Sequence, residues 1–296
     1  MIESSAILGG AAFVTAAASL TYAGTVAGIV LESLRPERKG LGWALGRGLP
    51  SEPTAWGLPA REWTHEYNGA RCPVFEIGDE DPSALTAIVL HGFSRSRHDA
   101  LSRLGPLLHH AKRFILPDLP GHGDAQGRGT RLGTDEDLFV ESLAKAHTTG
   151  PLLLVGHSLG ATVAIHASTL ESLRGRTVGV LALAPYERLS TPIGARLDLR
   201  SMPRRALVTP TLSALGAFGI RERSTRDAAA RAECPIAVIT GGADPVTPPA
   251  EAHAIAEAAK RGSYALVLSA RHDDFNTLAT HEIAAALAWI SDHARR

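Results

Sequence analysis

The sequence predicts an α/β protein built on a mostly parallel sheet. Three observations carry that prediction. Short apolar runs recur along the chain, helical patterns separate most of them, and one run turns through Gly-x-Ser-x-Gly into an apolar helix. The runs cover residues 86–90, 113–116, 152–155, 178–183, 236–240 and 265–268, and they read as buried strands because they are short and unbroken. Two weaker runs, 62–67 and 73–77, come first and lie close enough to pair as an antiparallel edge. Residues 135–146 and 248–261 repeat apolar residues at helical spacing. Strands alternating with helices of that length mean βαβ units. Residues 190–233 break the alternation, and a stretch that long reads as an insertion with its own structure. Residues 61–189 and 234–296 then form one domain around it.

Composition narrows the function classes. The 296 residues carry 30 Lys+Arg and 30 Asp+Glu, a formal charge of zero. A dedicated nucleic-acid binder shows a basic surplus, and a charge-rich disordered chain shows an imbalance; neither fits. Two cysteines, Cys72 and Cys234, are too few for a disulfide scaffold and suit a reducing compartment.

That neutrality is unevenly spread. From Ser4 to Leu31 no residue is charged and none is proline. About 20 apolar residues in a helix cross a bilayer, so residues 1–34 are expected to form a membrane anchor. The large apolar side chains there are few (Ile7, Leu8, Phe13, Val14, Leu20, Val26, Ile29, Val30 and Leu31), and Ala and Gly fill the rest. A signal peptide wants a basic start, whereas Glu3 is the one charge before the run. The Ala16-Ala17-Ala18 triplet leaves cleavage open. Arg35, Arg38, Lys39 and Arg47 follow the run, which by the positive-inside rule keeps the main domain cytoplasmic. The competing expectation is an Ala-rich helix packed on a soluble cytoplasmic domain or in an oligomer interface. Gly24 and Gly28 are spaced as in helix pairs that pack in membranes. Residues 35–60, rich in Gly, Pro and Arg and without periodicity, read as a linker.

The chemistry centres on Gly156-His157-Ser158-Leu159-Gly160, between an apolar strand and a helix. A serine on a tight strand-to-helix turn is exposed above the sheet, and flanking glycines remove side chains that would clash there. Developing negative charge on a carbonyl oxygen needs two N–H donors. Leu159, directly after the serine, supplies one. Phe93, after the strand ending in His91-Gly92, supplies the other. A serine also needs a base, and the base an orienting carboxylate. The strand at 236–240 runs into Gly241-Gly242-Ala243-Asp244-Pro245, and the strand at 265–268 is followed by His272. Ser158, Asp244 and His272 therefore stand in the chain order of a hydrolase triad. Asp273 and Asp274 follow His272 too closely to orient it from a separate loop.

The motifs HGF (91–93), PDLPGHG (117–123), GHSLG (156–160) and GGADPVTPP (241–249), with the late His272, make residues 61–296 resemble the α/β-hydrolase superfamily. The resemblance implies an eight-stranded, mostly parallel sheet flanked by helices, with a helical cap inserted after the sixth strand, where residues 190–233 fall. It implies a serine esterase or lipase acting through an acyl-enzyme, with Ser158, Asp244 and His272 catalytic and the Phe93 and Leu159 N–H groups as oxyanion hole. His91, Gly92, His157 and Arg271 are placed around the substrate: His91 and His157 as structural residues rather than proton carriers, Arg271 at the mouth. Many relatives carry Gly before the late histidine, where this chain has Arg271. Asp118 in PDLPGHG is expected to hold a loop by hydrogen bonds.

Other chemistries fail on residues. His281-Glu282 opens like a zinc-protease motif, but Ala285 stands at the second histidine. Gly121-His122-Gly123 opens like a dinucleotide fingerprint, but Gln126 stands at its third glycine. No metal or organic cofactor is implied. The expected partners are a small acyl ester or lipid and a membrane, with no nucleic acid; oligomeric state is open. A thioesterase or acyltransferase on the same residues, and a non-catalytic membrane-tethered scaffold, are the alternatives. Residues 190–233 carry eight arginines (196, 200, 204, 205, 221, 223, 226 and 231) against Asp198, Glu222, Asp227 and Glu233. This suits a solvated basic face or a lid over anionic headgroups or an acidic acyl substrate.

The N-terminal run predicts that the full-length protein pellets with membranes and resists alkaline carbonate extraction. Its recovery in the soluble fraction would refute the anchor.

Overall fold

The computed structural model describes residues 2–127 and 129–294, with side chains from Ala17 onward; the side chains of Ile7, Leu8, Phe13 and Val14 lie outside those described. Among the described residues one sheet contains β1 (Ala60–Tyr67), β2 (Ala70–Gly78), β3 (Thr86–Leu90), β4 (Arg113–Pro117), β5 (Leu152–His157), β6 (Thr177–Leu183), β7 (Ile236–Gly241) and β8 (Gly262–Val267). Their spatial order is β1-β2-β4-β3-β5-β6-β7-β8. β2 pairs antiparallel with β1 and with β4, and every other pairing is parallel.

Helices α1 (Ile2–Leu34) and α2 (Leu41–Gly46) precede the sheet, and α3 (Arg97–Leu101) follows β3. The crossovers then use α4 (Glu136–His147), α5 (Leu159–Ala167) and α6 (Glu171–Arg174). Between β6 and β7 stand α7 (Ser190–Leu199), α8 (Arg204–Ala217) and α9 (Thr225–Arg231). The chain closes with α10 (Pro249–Ala258), α11 (Phe275–Leu278) and α12 (Thr280–Ala294).

The unbroken apolar runs follow from this layering. Successive strand residues point to opposite faces, and both faces are covered by helices. In β5, Leu152 and Leu154 join one core with Phe139 and Val140 of α4 and the alanines of α5. Leu153 and Val155 join the other with Leu101 of α3 and Ile283, Leu287 and Ile290 of α12. β3, β6 and β7 alternate in the same way. Each fully buried Leu, Ile or Phe contributes roughly 1.5–3 kcal/mol.

Two expectations change. The last strand begins at Gly262, ahead of the run at 265–268, because β8 is an edge strand, largely open to solvent, so its apolar pattern is incomplete. Residues 35–60 are packed on the domain rather than a free linker. Ala44 of α2 is fully buried, Trp56 Nε1 donates to the Leu101 carbonyl at 3.2 Å, and Arg38 donates to the Ala125 carbonyl. Single side chains make these contacts, so no periodicity betrays them.

Helix α1 leans on the segment between β6 and β7. Val30 is buried with Ile193 and Leu197 of α7 and Leu207 and Leu215 of α8, with Val26 and Ile29 alongside. Tyr22 Oη donates to the Ala206 carbonyl at 2.7 Å, and Arg200 makes a two-pronged ion pair with Glu32. Other described side chains of α1 are open: Leu20 is 75% exposed and Leu31 56%. No heavy atom lies within reach of a Cβ at Gly24 or Gly28.

At the antiparallel end, the buried Glu76 carboxylate accepts from Arg113 Nε (3.0 Å) and Nη2 (2.8 Å), Arg61 (3.0 Å) and Trp63 Nε1 (2.7 Å), joining β1, β2 and β4. Burial alone would raise the Glu76 pKa, but these donors outweigh it and hold the carboxyl below its ordinary range. A lowered carboxyl stabilises the fold fully above the ordinary glutamate pKa of about 4.3, and the contribution is lost as pH falls through the lowered value. Glu76→Gln leaves Arg113 buried without its counter-charge and is expected to cost about 3–5 kcal/mol in urea unfolding at pH 7. That deficit should shrink as pH falls through the lowered pKa, where the wild-type carboxyl is also being protonated. A pH-independent deficit would refute the charge argument.

Candidate active site

β5 delivers Ser158 to the carboxyl end of the sheet in a backbone conformation that few residues adopt, φ 53° and ψ −114°. Such strain costs on the order of 1–3 kcal/mol and persists only where the surroundings enforce it. Here the enforcing contacts are backbone against backbone. A Cβ on Gly156 would lie 2.2 Å from the Gly160 carbonyl carbon, and one on Gly160 would lie 2.4 Å from the Leu90 oxygen. Helix α5 therefore starts directly against β3 and β5, and the Ser158 N–H is anchored to the Leu183 carbonyl at 2.8 Å.

The loops after β7 and β8 bring two further side chains to the serine. His272 Nε2 lies 2.9 Å from Ser158 Oγ, and its Nδ1 lies 2.7 Å from Asp244 Oδ2. The Asp244 side chain is fully buried. Its Oδ1 accepts from the Val246 and Thr247 N–H groups at 2.7 and 3.0 Å, and its Oδ2 from Thr247 Oγ1 at 2.6 Å. Burial works to raise the Asp244 pKa, yet His272 and these donors prevail and keep the carboxyl ionised below its ordinary range. The chain of contacts Ser158–His272–Asp244 can move a proton from a hydroxyl to an imidazole while a fixed carboxylate steadies the cation.

His157, Gly92 and Arg271 line the same cleft, and His91 lies beneath it, fully buried. His91 Nε2 accepts from the Leu119 N–H at 2.9 Å, and its Nδ1–H donates to the Gly92 carbonyl at 2.7 Å, so it joins the two loops that follow β3 and β4. Burial pushes its pKa down, which suits the neutral ring that this pairing requires. His157 Nε2–H donates to the main-chain carbonyl of His272 at 2.6 Å, and burial drives its pKa well down as well. That hydrogen bond ties the His272 loop to the end of β5.

Phe93 and Leu159 face the serine from the loop after β3 and the first turn of α5. Among the described residues neither N–H makes a backbone hydrogen bond. The Phe93 loop is held from below by the fully buried Asp118, whose Oδ1 accepts from the Arg97 N–H at 2.6 Å and whose Oδ2 pairs with Arg97 Nη1 at 2.5 Å. Asp118 Oδ2 also accepts from the Asp124 N–H at 2.8 Å, so one carboxylate ties both loops together.

The cleft occupies roughly 610 Å³ above Ser158, and its walls include residues from the N-terminal segment, which the sequence did not place beside the serine, and from the basic stretch after β6. Glu32, Pro36, Glu37, Lys39 and Arg47 reach it from the N-terminal segment, and Arg196, Leu199 and Arg200 from α7. At the mouth, Trp43 is flanked by the guanidinium groups of Arg95 (4.7 Å) and Arg47 (4.8 Å). Arg95 pairs with Asp273 at 2.6 Å, which accounts for that acid, and Asp274 accepts from the Arg271 N–H at 3.1 Å. Among the described residues no group of His, Cys, Asp and Glu is placed to hold a metal ion. Thr247, the brace of Asp244, sits inside the GGADPVTPP stretch, but nothing in residues 36–47 signals a wall of a cleft.

Comparison with known proteins agrees with this architecture. The chain is similar in structure to an esterase of Pyrococcus furiosus (TM-score 0.64, 20% identity, covering 81% of this chain and 93% of that one). It is similar to a bacterial membrane phospholipase A over 98% of both chains (TM-score 0.62, 18% identity), the N-terminal helix falling within the match. At these identities the likeness is one of fold. In sequence it is similar to the 30 kDa subunit of magnesium chelatase from Rhodobacter capsulatus, 28% identical over 49% of this chain and 50% of that protein. It is also similar to the protein phosphatase methylesterase 1 of Bos taurus, 28% identical over 32% of this chain and 26% of that one. The chain thus spans half or less of the length of these curated relatives. The sequence profile of the alpha/beta hydrolase family matches residues 87–293, and with the sheet order and the strained serine turn this makes the chain a member of that family.

Proposed function

We propose that the protein is a serine hydrolase of carboxylic esters, working through an acyl-enzyme on Ser158, His272 and Asp244. The observation that carries this reading is the continuous contact from Ser158 Oγ to His272 (2.9 Å) to Asp244 (2.7 Å). Ser158 Oγ attacks the ester carbonyl carbon as its proton passes to His272 Nε2. Asp244 accepts from Nδ1–H and stabilises the imidazolium. The developing oxyanion is met by the Phe93 and Leu159 N–H groups, and one such donor is worth roughly 10²–10³ in kcat. The intermediate collapses, His272 returns the proton to the departing alcohol, and an acyl ester remains on Ser158. Water, deprotonated by His272, then attacks that ester and releases the acid. A thioester presents the same carbonyl to the same groups, and transfer to another acceptor would replace water in the last step.

The reading extends to place. Helix α1 is long and apolar enough to cross a bilayer, and its Ala17–Leu34 stretch is only 17% buried in the protein. The basic flank after it favours a cytoplasmic hydrolase domain. The similarity to a membrane phospholipase supports a membrane-tethered enzyme acting on an ester or lipid.

Two variants test the chemistry. Ser158→Ala is expected to abolish covalent labelling by a fluorophosphonate and to lower p-nitrophenyl ester turnover by at least ~10³-fold. Asp244→Asn is expected to leave the fold intact by circular dichroism and to lower kcat by about 10⁴-fold. Labelling that survives in Ser158→Ala, or a folded wild type that never labels, would sink the serine-hydrolase reading; the second result would favour a non-catalytic scaffold.

A further inference from the structure

The charges around the cleft do not balance. Six cationic side chains line it (Lys39, Arg47, Arg95, Arg196, Arg200 and Arg271), against Glu32, Glu37, Asp273 and Asp274. The acids are already engaged: Glu32 by Arg200, Asp273 by Arg95, Glu37 by Lys39 at 3.6 Å, and Asp274 by the Arg271 main chain. Arg47 rests on Trp43, and Arg271 is exposed.

Arg196 is different from both. It projects from α7 over the loop after β3, with its guanidinium carbon 3.9 Å from the centre of the Phe93 ring. Among the described residues it has no hydrogen bond and no ion pair; it rests on the aromatic face, and the acid near it, Glu32, is already tied to Arg200. It borders the cleft together with Ser158 and also the narrow pocket that runs from Ser158 between Leu132, Leu159, Tyr186 and Ile193. It is partly buried, and the desolvation presses its pKa down; Tyr186 and Glu32 work against that shift, and Arg200 and Arg95 add to it. A guanidinium has five N–H donors in a planar fork that matches a carboxylate or phosphate, and it stays charged in a protein. Holding it desolvated beside the serine without an ion pair of its own is unfavourable, and an aromatic face and a carboxylate shared with Arg200 compensate only in part. The missing partner is an anion that arrives with the substrate.

We infer that the substrate of this site carries an anionic group, a carboxylate or a phosphate, near its acyl bond, and that Arg196 is the residue that reads it. The inference rests on the serine-hydrolase reading and narrows it to acidic esters. Contact with the Phe93 ring couples the guanidinium to the loop whose N–H faces the oxyanion, so an anion held there also registers the carbonyl. The paired Arg95 and Arg200 flank this position without being free to take the anion themselves. Arg47 and Arg271, further out, draw the same charge toward the mouth.

The test uses full-length protein in a neutral detergent and matched ester pairs. One pair places the anion in the acyl part: p-nitrophenyl butyrate against the mono-p-nitrophenyl ester of glutaric acid. The other places it in the alcohol part: monoacylglycerol against its glycerol-phosphate counterpart with the same acyl chain. The wild type is expected to prefer the anionic member of at least one pair by tenfold or more in kcat/KM, and the pair that shows it identifies the source of the anion. Arg196→Gln is expected to erase that ratio, Arg196→Lys to restore part of it, and the exposed Arg226→Gln, outside the cleft, to keep it. Reading the ratio within each variant cancels any general loss of activity. A wild type that labels with fluorophosphonate and cleaves neutral esters, yet shows no preference in either pair, overturns the inference and leaves the hydrolase reading standing. An Arg196→Gln protein that keeps the full preference overturns it equally. A wild type that is folded but does not label overturns the reading beneath both.

Discussion

Helix α5 approaches the sheet so closely that neither Gly156 nor Gly160 has room for a Cβ, and the geometry of the site follows from that approach. With no side chain between them, the first turn of the helix sits against the carbonyls of Leu90 and His91, and Ser158 is left in a conformation that it would not choose alone. The same contact fixes where the Leu159 N–H stands relative to the loop carrying Phe93. Ser94, just after Phe93, also has a positive φ of 62°, so both sides of the serine are held by strained backbone. The buried Asp118 and His91 then act as struts. They keep the loop after β3 at the height of the serine turn, and the unfavourable backbone is offset by hydrogen bonds two loops away.

How much of this was legible in the residues depends on what holds each part. β3, β5 and β7 could be read because a strand buried on both faces must be apolar at every position, and their runs stand out. β8 was displaced by three residues because an edge strand needs no such run. The serine, aspartate and histidine could be ordered along the chain because each falls just past a strand, where an α/β sheet presents its loops. Residues 35–60 could not be read. Their placement rests on single contacts such as Trp56 to Leu101 and Arg38 to Ala125, which leave no spacing rule. Arg196 was one of eight arginines in a basic stretch, and only the tertiary structure distinguishes it, by the lack of an ion pair among the described residues and the presence of Phe93 beneath it.

His157 and His272 illustrate how two adjacent imidazoles are given separate tasks. Their rings lie 4.9 Å apart. Deep burial keeps His157 neutral and commits its one N–H to a main-chain carbonyl, so it fixes the position of the loop. The His272 ring is oriented instead by Asp244 on one nitrogen and Ser158 on the other. Position and orientation are thus set by different hydrogen bonds, and a change in one need not alter the other.

The walls of the cleft come from far apart in the chain. Ser158 and His272 are separated by 114 residues, and the Glu32–Arg200 pair spans 168. Loop-closure entropy rises only with the logarithm of such separations, so the equilibrium cost is modest; the burden falls on the time needed to bring the parts together. During synthesis the serine turn and its helix can form well before His272 exists. The His272 loop emerges only after β8, and α12 must still follow to cover the sheet beneath it. A nascent chain therefore holds its serine turn for more than a hundred residues of translation before the imidazole that meets it is made, and the cleft takes shape only when both loops are present.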